Sequence, residues 1–215
     1  MKKNGFTLAE VLITLAIIGV VATMTLPALM TNTAEQQAKS GLKKGINTLT
    51  EVAQLAQAID GYDYSSLSVD TKSDTAQSLY GVLARHTTLD YSKSNLSVDG
   101  FETGNYTVFF RDGSAISFPD GATGTSDDAK AMQSDRLPYG IAVLYDTNGA
   151  KGPNMISNCD GIASGIGYNV SDNTSEDTDV ACTKDRRVIK DRFGIRLRGG
   201  FAVPNGAAAR WALQN

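Results

Sequence analysis

The run from Phe6 to Met30 is 25 residues long and holds a single charge, the carboxylate of Glu10. As a helix it extends about 38 Å at 1.5 Å per residue, more than the roughly 30 Å of a bilayer's hydrocarbon core. So the run is read as a membrane span, with Lys2 and Lys3 before it. Those lysines set the N-terminus on the cytoplasmic side, and everything after residue 31 is then exported. A cleaved secretory signal is the alternative. Against it, the run is too long, a Glu sits in its first third, and Val20-Val21-Ala22 is the least poor cleavage site. A charged side chain in hydrocarbon costs roughly 2.5–3.5 kcal/mol on insertion scales, so Glu10 is expected to have a function and a partner. The chain offers no cation between Lys3 and Glu35. The partner must come from another molecule or from a new terminus made by cleavage.

The stretch "KKNGFTLAEVLITLAIIGVVATMTLPAL" resembles the N-terminus of type IV pilin-like proteins: pilins, type II secretion pseudopilins and competence pilins. The resemblance rests on a short basic leader ending in Gly5, then Phe6, then "TLAE" and the apolar run. It is specific over residues 1–30 and extends to about residue 60. It implies that a prepilin peptidase cuts between Gly5 and Phe6 and that the new amine of Phe6 is methylated. Glu10, fifth in the mature chain, would then pair with the Phe6 amine of a neighbouring subunit. Pro27 matches a proline at which such helices bend or melt on assembly. The implied fold is α+β, a long N-terminal helix packed on a small antiparallel sheet. Its divisions are a leader (1–5), a transmembrane and filament-core half-helix (6–30), an outer half-helix (31–61) and a head (62–215). The implied partners are other pilin subunits, the peptidase and an inner-membrane assembly platform. The implied location is the bacterial inner membrane, crossed once, and afterwards a filament outside it. The five-residue leader resembles the type IVa or pseudopilin group.

Beyond the apolar run, Leu42, Ile46, Leu49, Ala53, Ala56 and Ile59 recur at steps of three and four, one apolar helical stripe. Asp60-Gly61 is the expected stop. Pro27 costs about 3 kcal/mol inside a helix, so a kink or local break is expected there. "SDTAQSLYGVLARH" (73–86) reads as a short helix capped by Ser73 or Asp74, with Leu79, Val82, Leu83 and His86 on its inner face. "NYTVFFRDGSAISFPDG" (105–121) reads as a hairpin around Asp112-Gly113. "YGIAVLYD" (139–146) is a third strand, and "FGIRLRGGFAVP" (193–204) a second hairpin around Gly199-Gly200.

The chain has two cysteines, Cys159 and Cys182, and no CxxC. In an exported domain the pair fits a disulfide, worth roughly 3 kcal/mol for a loop of this length; two unrelated buried thiols are the alternative. Between them lie Asp160, Asp172, Glu176, Asp177 and Asp179 and no base. Residues 184–198 follow with seven bases, Lys184, Arg186, Arg187 and Arg192 among them, against two acids. Three readings stand: a solvated or internally neutralised surface, contact between stacked subunits through these bases, and DNA capture as competence pilins do. Asp146, Asn148 and Asn154 in "DTNGAKGPN" are oxygen donors, and some pseudopilins hold calcium in a late loop. The run lacks an EF-hand's repeated acids and tight turns explain it, so no cofactor is expected. His86 is the only histidine, and no nucleophile–base or metal spacing surrounds it. The expectation is a structural filament subunit rather than an enzyme. A pseudopilin, or a filament-tip or membrane-tethered binding module for DNA, is the alternative.

Overall fold

The computed structural model describes residues 7–67, 77–91, 105–119, 141–157, 159 and 187–214. Two compact units divide the chain, Met1–Gln37 and Ala38–Asn215. One helix, α1 (Leu8–Ile59), supplies the first unit's described residues after Thr7 and opens the second. In the first unit its large apolar side chains, from Leu8 to Met30, are exposed, and the helix is long and apolar enough to cross a membrane. The helix runs through Pro27 without interruption, so the expected break is absent. Once a helix is nucleated, each further turn adds hydrogen bonds at little extra cost, and the turns on both sides carry it past the one missing N–H.

In the second unit α1 buries Leu42, Leu49, Ala53 and Ala56 of the expected stripe, and Val52 beside them, in the main core. Ile46 is only half-buried, and Ile59, expected inside, is 69% exposed at the last residue of the helix. The chain leaves the helix at Asp60 and turns at Gly61, whose φ of 77° is the left-handed geometry that ends many helices. Tyr64 then folds back, buried, with its hydroxyl donating to the Leu49 carbonyl at 2.6 Å.

Helix α2 is shorter than expected, Leu79–His86. Its cap is Ser78, whose Oγ accepts from the Gly81 N–H at 2.9 Å. Ser73 and Asp74, the expected caps, lie outside the described residues. Leu79, Val82 and Leu83 are buried as expected.

Five strands form one antiparallel sheet in chain order: β1 (Asn105–Phe109), β2 (Ala115–Pro119), β3 (Ile141–Asp146), β4 (Arg192–Arg198) and β5 (Phe201–Pro204). Val108 sits opposite Ile116, Val143 opposite Ile195, and Leu197 opposite Ala202. The Asp112-Gly113 turn is where it was expected: Gly113 has φ 94°, and Asp112 Oδ1 accepts from the Ser114 N–H and hydroxyl. Gly199-Gly200 joins β4 to β5. A third helix, α3 (Ala207–Gln214), follows and buries Ala207, Ala208, Ala209 and Ala212. The result is α+β, a long N-terminal helix with a five-strand antiparallel sheet, and it is consistent with a pilin-like architecture.

Candidate functional site

The N-terminal site begins at the start of α1. Thr7 and Glu10 cap it reciprocally: Glu10 Oε2 accepts from the Thr7 N–H at 2.8 Å and from its hydroxyl at 2.9 Å, and the Glu10 N–H donates to Thr7 Oγ1 at 3.3 Å. This is a T-x-x-E capping box, and an acid in the first turn also suits the helix dipole. Glu10 therefore has a local role that the expectation of a waiting carboxylate did not include, although the Thr-x-x-Glu spacing was there to signal it. Its second oxygen, Oε1, accepts no hydrogen bond among the described residues. Gly5 and Phe6, the expected cleavage pair, lie outside the described residues.

Along the apolar run, hydroxyls are turned back onto the helix. Thr14, Thr23 and Thr25 donate to the carbonyls of Val11, Val20 and Val21, and just beyond it Thr31 and Thr33 donate to those of Pro27 and Leu29. Each hydroxyl is satisfied by its own helix three or four residues back, which suits surroundings that offer no water.

In the second unit, the loop after β3 is organised by two carboxylates. Asp146 Oδ1 accepts from the N–H groups of Asn148 and Gly149, and Oδ2 from Arg192 Nε at 2.7 Å. Burial pushes the Asp146 carboxyl up, opposed by Arg192 and the Asn148 N–H. Asp191 accepts from the N–H groups of Asn154 and Met155. Asn148 Nδ2 reaches the Gly152 carbonyl at 3.4 Å.

The basic stretch is not one surface. Arg192 is 0% exposed and Arg196 is buried, so neither stands on the surface where the subunit-contact reading would use it. Residues 192–197 of β4 are buried on both faces, and Asp146 on the neighbouring strand supplies Arg192 with a buried counter-charge that local charge counting does not reveal. Arg187 is half-buried, its guanidinium 3.9 Å from the centre of the Trp211 ring, with Lys39 Nζ 4.1 Å from the same centre. Lys184 and Arg186 lie outside the described residues. Cys159 is buried against Ala207 and Ala208 and is not a free thiol; Cys182 lies outside the described residues.

His86 Nε2 is 2.8 Å from Asp60 Oδ2, and Arg85 approaches the same oxygen at 3.8 Å. These contacts join α2 to the end of α1. Lys44 pairs with Asp112 at 2.8 Å and joins α1 to the first hairpin. Burial raises the Asp112 carboxyl, but bonds from Lys44 and Ser114 and the Lys44 charge outweigh it and hold the group below its ordinary value.

No curated protein and no solved structure matches the chain. Residues 1–26 match the prokaryotic N-terminal methylation motif, and the chain therefore carries a prepilin signal of the type IV pilin and pseudopilin kind.

Proposed function

We propose that this protein is a structural subunit of a type IV pilus-like filament, cut between Gly5 and Phe6, methylated on Phe6 and assembled through its N-terminal helix. A pseudopilin of a secretion system is the same reading in a different machine. The carrying observation is the placement of Glu10, the lone charge of the 6–30 apolar run, in the first turn of α1 and within the matched motif. The motif favours a structural subunit over an enzyme, and the apolar helix favours membrane anchoring. Glu10 Oε1 is available to the Phe6 amine of a neighbour while Oε2 stays on Thr7. In this reading Cys159 pairs with Cys182, and Arg192 is the cation that Asp146 meets, so the 146–154 loop is held without calcium. DNA capture is the weaker reading, because Arg192 and Arg196 are inside.

Glu10→Val should leave membrane insertion and leader cleavage intact and deplete the subunit from sheared filaments. Normal incorporation of that variant would remove the role given to Glu10. Mass spectrometry of the wild-type subunit should show loss of residues 1–5 and one methyl group on Phe6; retention of the leader would refute the processing.

A further inference from the structure

The second unit carries an apolar pocket of about 340 Å³ on one flank of α1 and an exposed aromatic on the other. With about 100° per residue and Leu49 facing the core, Lys44, Thr48, Glu51 and Leu55 fall on one flank of the helix and Thr50 and Gln57 on the opposite one. The pocket opens on the first flank. Leu49, Val52, Phe110 and Tyr145 line it, and Leu55, 46% exposed, stands among them. The second flank meets β5: the Ala202 N–H donates to Thr50 Oγ1 at 3.1 Å, and a Cβ placed on Gly200 would lie 3.7 Å from Gln57 Oε1. Between those two residues, Phe201 is 60% exposed on the sheet's edge strand.

The charges beside the two features are complementary. At the pocket, Lys44 and Asp112 neutralise each other, which leaves Arg111 and Glu51, neither bonded through its side chain among the described residues. Beside Phe201 stand Arg198, its partner across the hairpin, and Asp63, whose Oδ2 would lie 3.9 Å from a Cβ on Gly199. Asp63 Oδ1 accepts from the N–H and hydroxyl groups of both Ser65 and Ser66, and Oδ2 accepts no hydrogen bond among the described residues. Each feature is thus an apolar centre with one acid and one base beside it.

We propose that Phe201 of one subunit seats in the pocket of a second copy of this chain, with Asp63 facing Arg111 and Arg198 facing Glu51. Knob and hole lie on opposite flanks, so the contact is head-to-tail and each subunit keeps one of each for the next neighbour. Such a contact propagates into an open helical array where its rotation does not close a ring. The proposal rests on the filament-subunit reading and names the surfaces that the second unit would use in it.

The test is a pair of thiols, Phe201→Cys with Thr48→Cys, in the full-length chain expressed with its assembly machinery. Mild oxidation should yield a ladder of covalent multimers on non-reducing gels, whereas either thiol alone should yield nothing beyond dimers. Charge reversal supplies a second arm. Asp63→Arg or Arg111→Asp should each cut the sheared-filament yield by about tenfold or more, since like charges set face to face cost several kcal/mol. The two together should recover most of it. Filaments at wild-type yield with no ladder would overturn this contact and leave the filament reading standing. A ladder in membranes without filaments would do the reverse. If neither appears, both fall. A small apolar molecule that occupies the pocket while the ladder is lacking also overturns the contact.

Discussion

Removing the Arg192 side chain should destabilise the second unit strongly. Arg192 and Asp146 both have fully buried side chains, joined by one 2.7 Å bond from Nε to Oδ2. Arg192→Met replaces the guanidinium with an apolar chain and leaves the Asp146 carboxylate buried with only the Asn148 and Gly149 N–H groups. Orphaning one member of a buried ion pair costs about 3–5 kcal/mol, most of it the cost of the stranded charge. In a chain of this size each kcal/mol moves Tm by about 2–4 °C, so the expected fall is about 6–20 °C. The assay is a thermal melt of the full-length chain in detergent, followed by near-ultraviolet dichroism, which reports packing of the second unit's tyrosines and Trp211. Asp146→Leu combined with Arg192→Met should fall by less than the sum of the single changes, because the pair leaves together. A fall under about 2 °C for Arg192→Met, or strict additivity in the double variant, would refute the account of a stranded charge.

Gly45→Ala should lower Tm although alanine is the better helix former by about 1 kcal/mol, because its Cβ would overlap the buried Tyr145 ring, and overpacking costs about 1–3 kcal/mol; an unchanged or raised Tm would show that the ring gives way. Ser78→Ala removes the α2 cap and should cost about 1 kcal/mol in denaturant melts, while Ser78→Thr, which keeps the hydroxyl acceptor without burying a charge, should recover much of it; equal losses would indicate a packing role instead. Burial pushes the Tyr145 hydroxyl up to about 12 and the Tyr64 hydroxyl higher still. A raised folded-state value means that the neutral phenols favour the fold below about pH 10 and that this contribution is lost as pH rises through the folded value. Phenolate absorbance should therefore show Tyr64 and Tyr145 lagging until the protein unfolds in alkali; these two titrating near pH 10 in the folded protein would contradict the packing.

The elements legible in the sequence were those whose causes are local. An apolar stripe at helical spacing marked α1, Asp60-Gly61 marked its end, and Asp112-Gly113 and Gly199-Gly200 marked two hairpins. The start of α2 was misplaced because Ser73, Asp74 and Ser78 are all acceptable caps and only packing selects Ser78. Helix α3 went unread although "AAARWALQ" is rich in helix formers. The pairing of Asp146 with Arg192 spans 46 residues, and no charge count along the chain distinguishes a buried arginine from a solvated one. At the N-terminus the reverse held. Gly5, Phe6 and Glu10 are close in sequence and legible as a motif, and the turn of Glu10 back onto Thr7 had its own signal in the Thr-x-x-Glu spacing, which the membrane reading of the same residues overshadowed.

The five threonines from Thr14 to Thr33 bear on how easily such a helix changes its surroundings. A hydroxyl bonded to lipid headgroups or to water must give up that partner when the helix enters a protein bundle. Here each carries its acceptor with it, on its own helix. In the assembly reading, the choice between bilayer and filament then turns on how well side chains fit their neighbours, with little solvation to gain or lose. Extraction from the membrane and return to it would be nearly balanced, so that a small mechanical input, or a single carboxylate–amine contact, decides the direction.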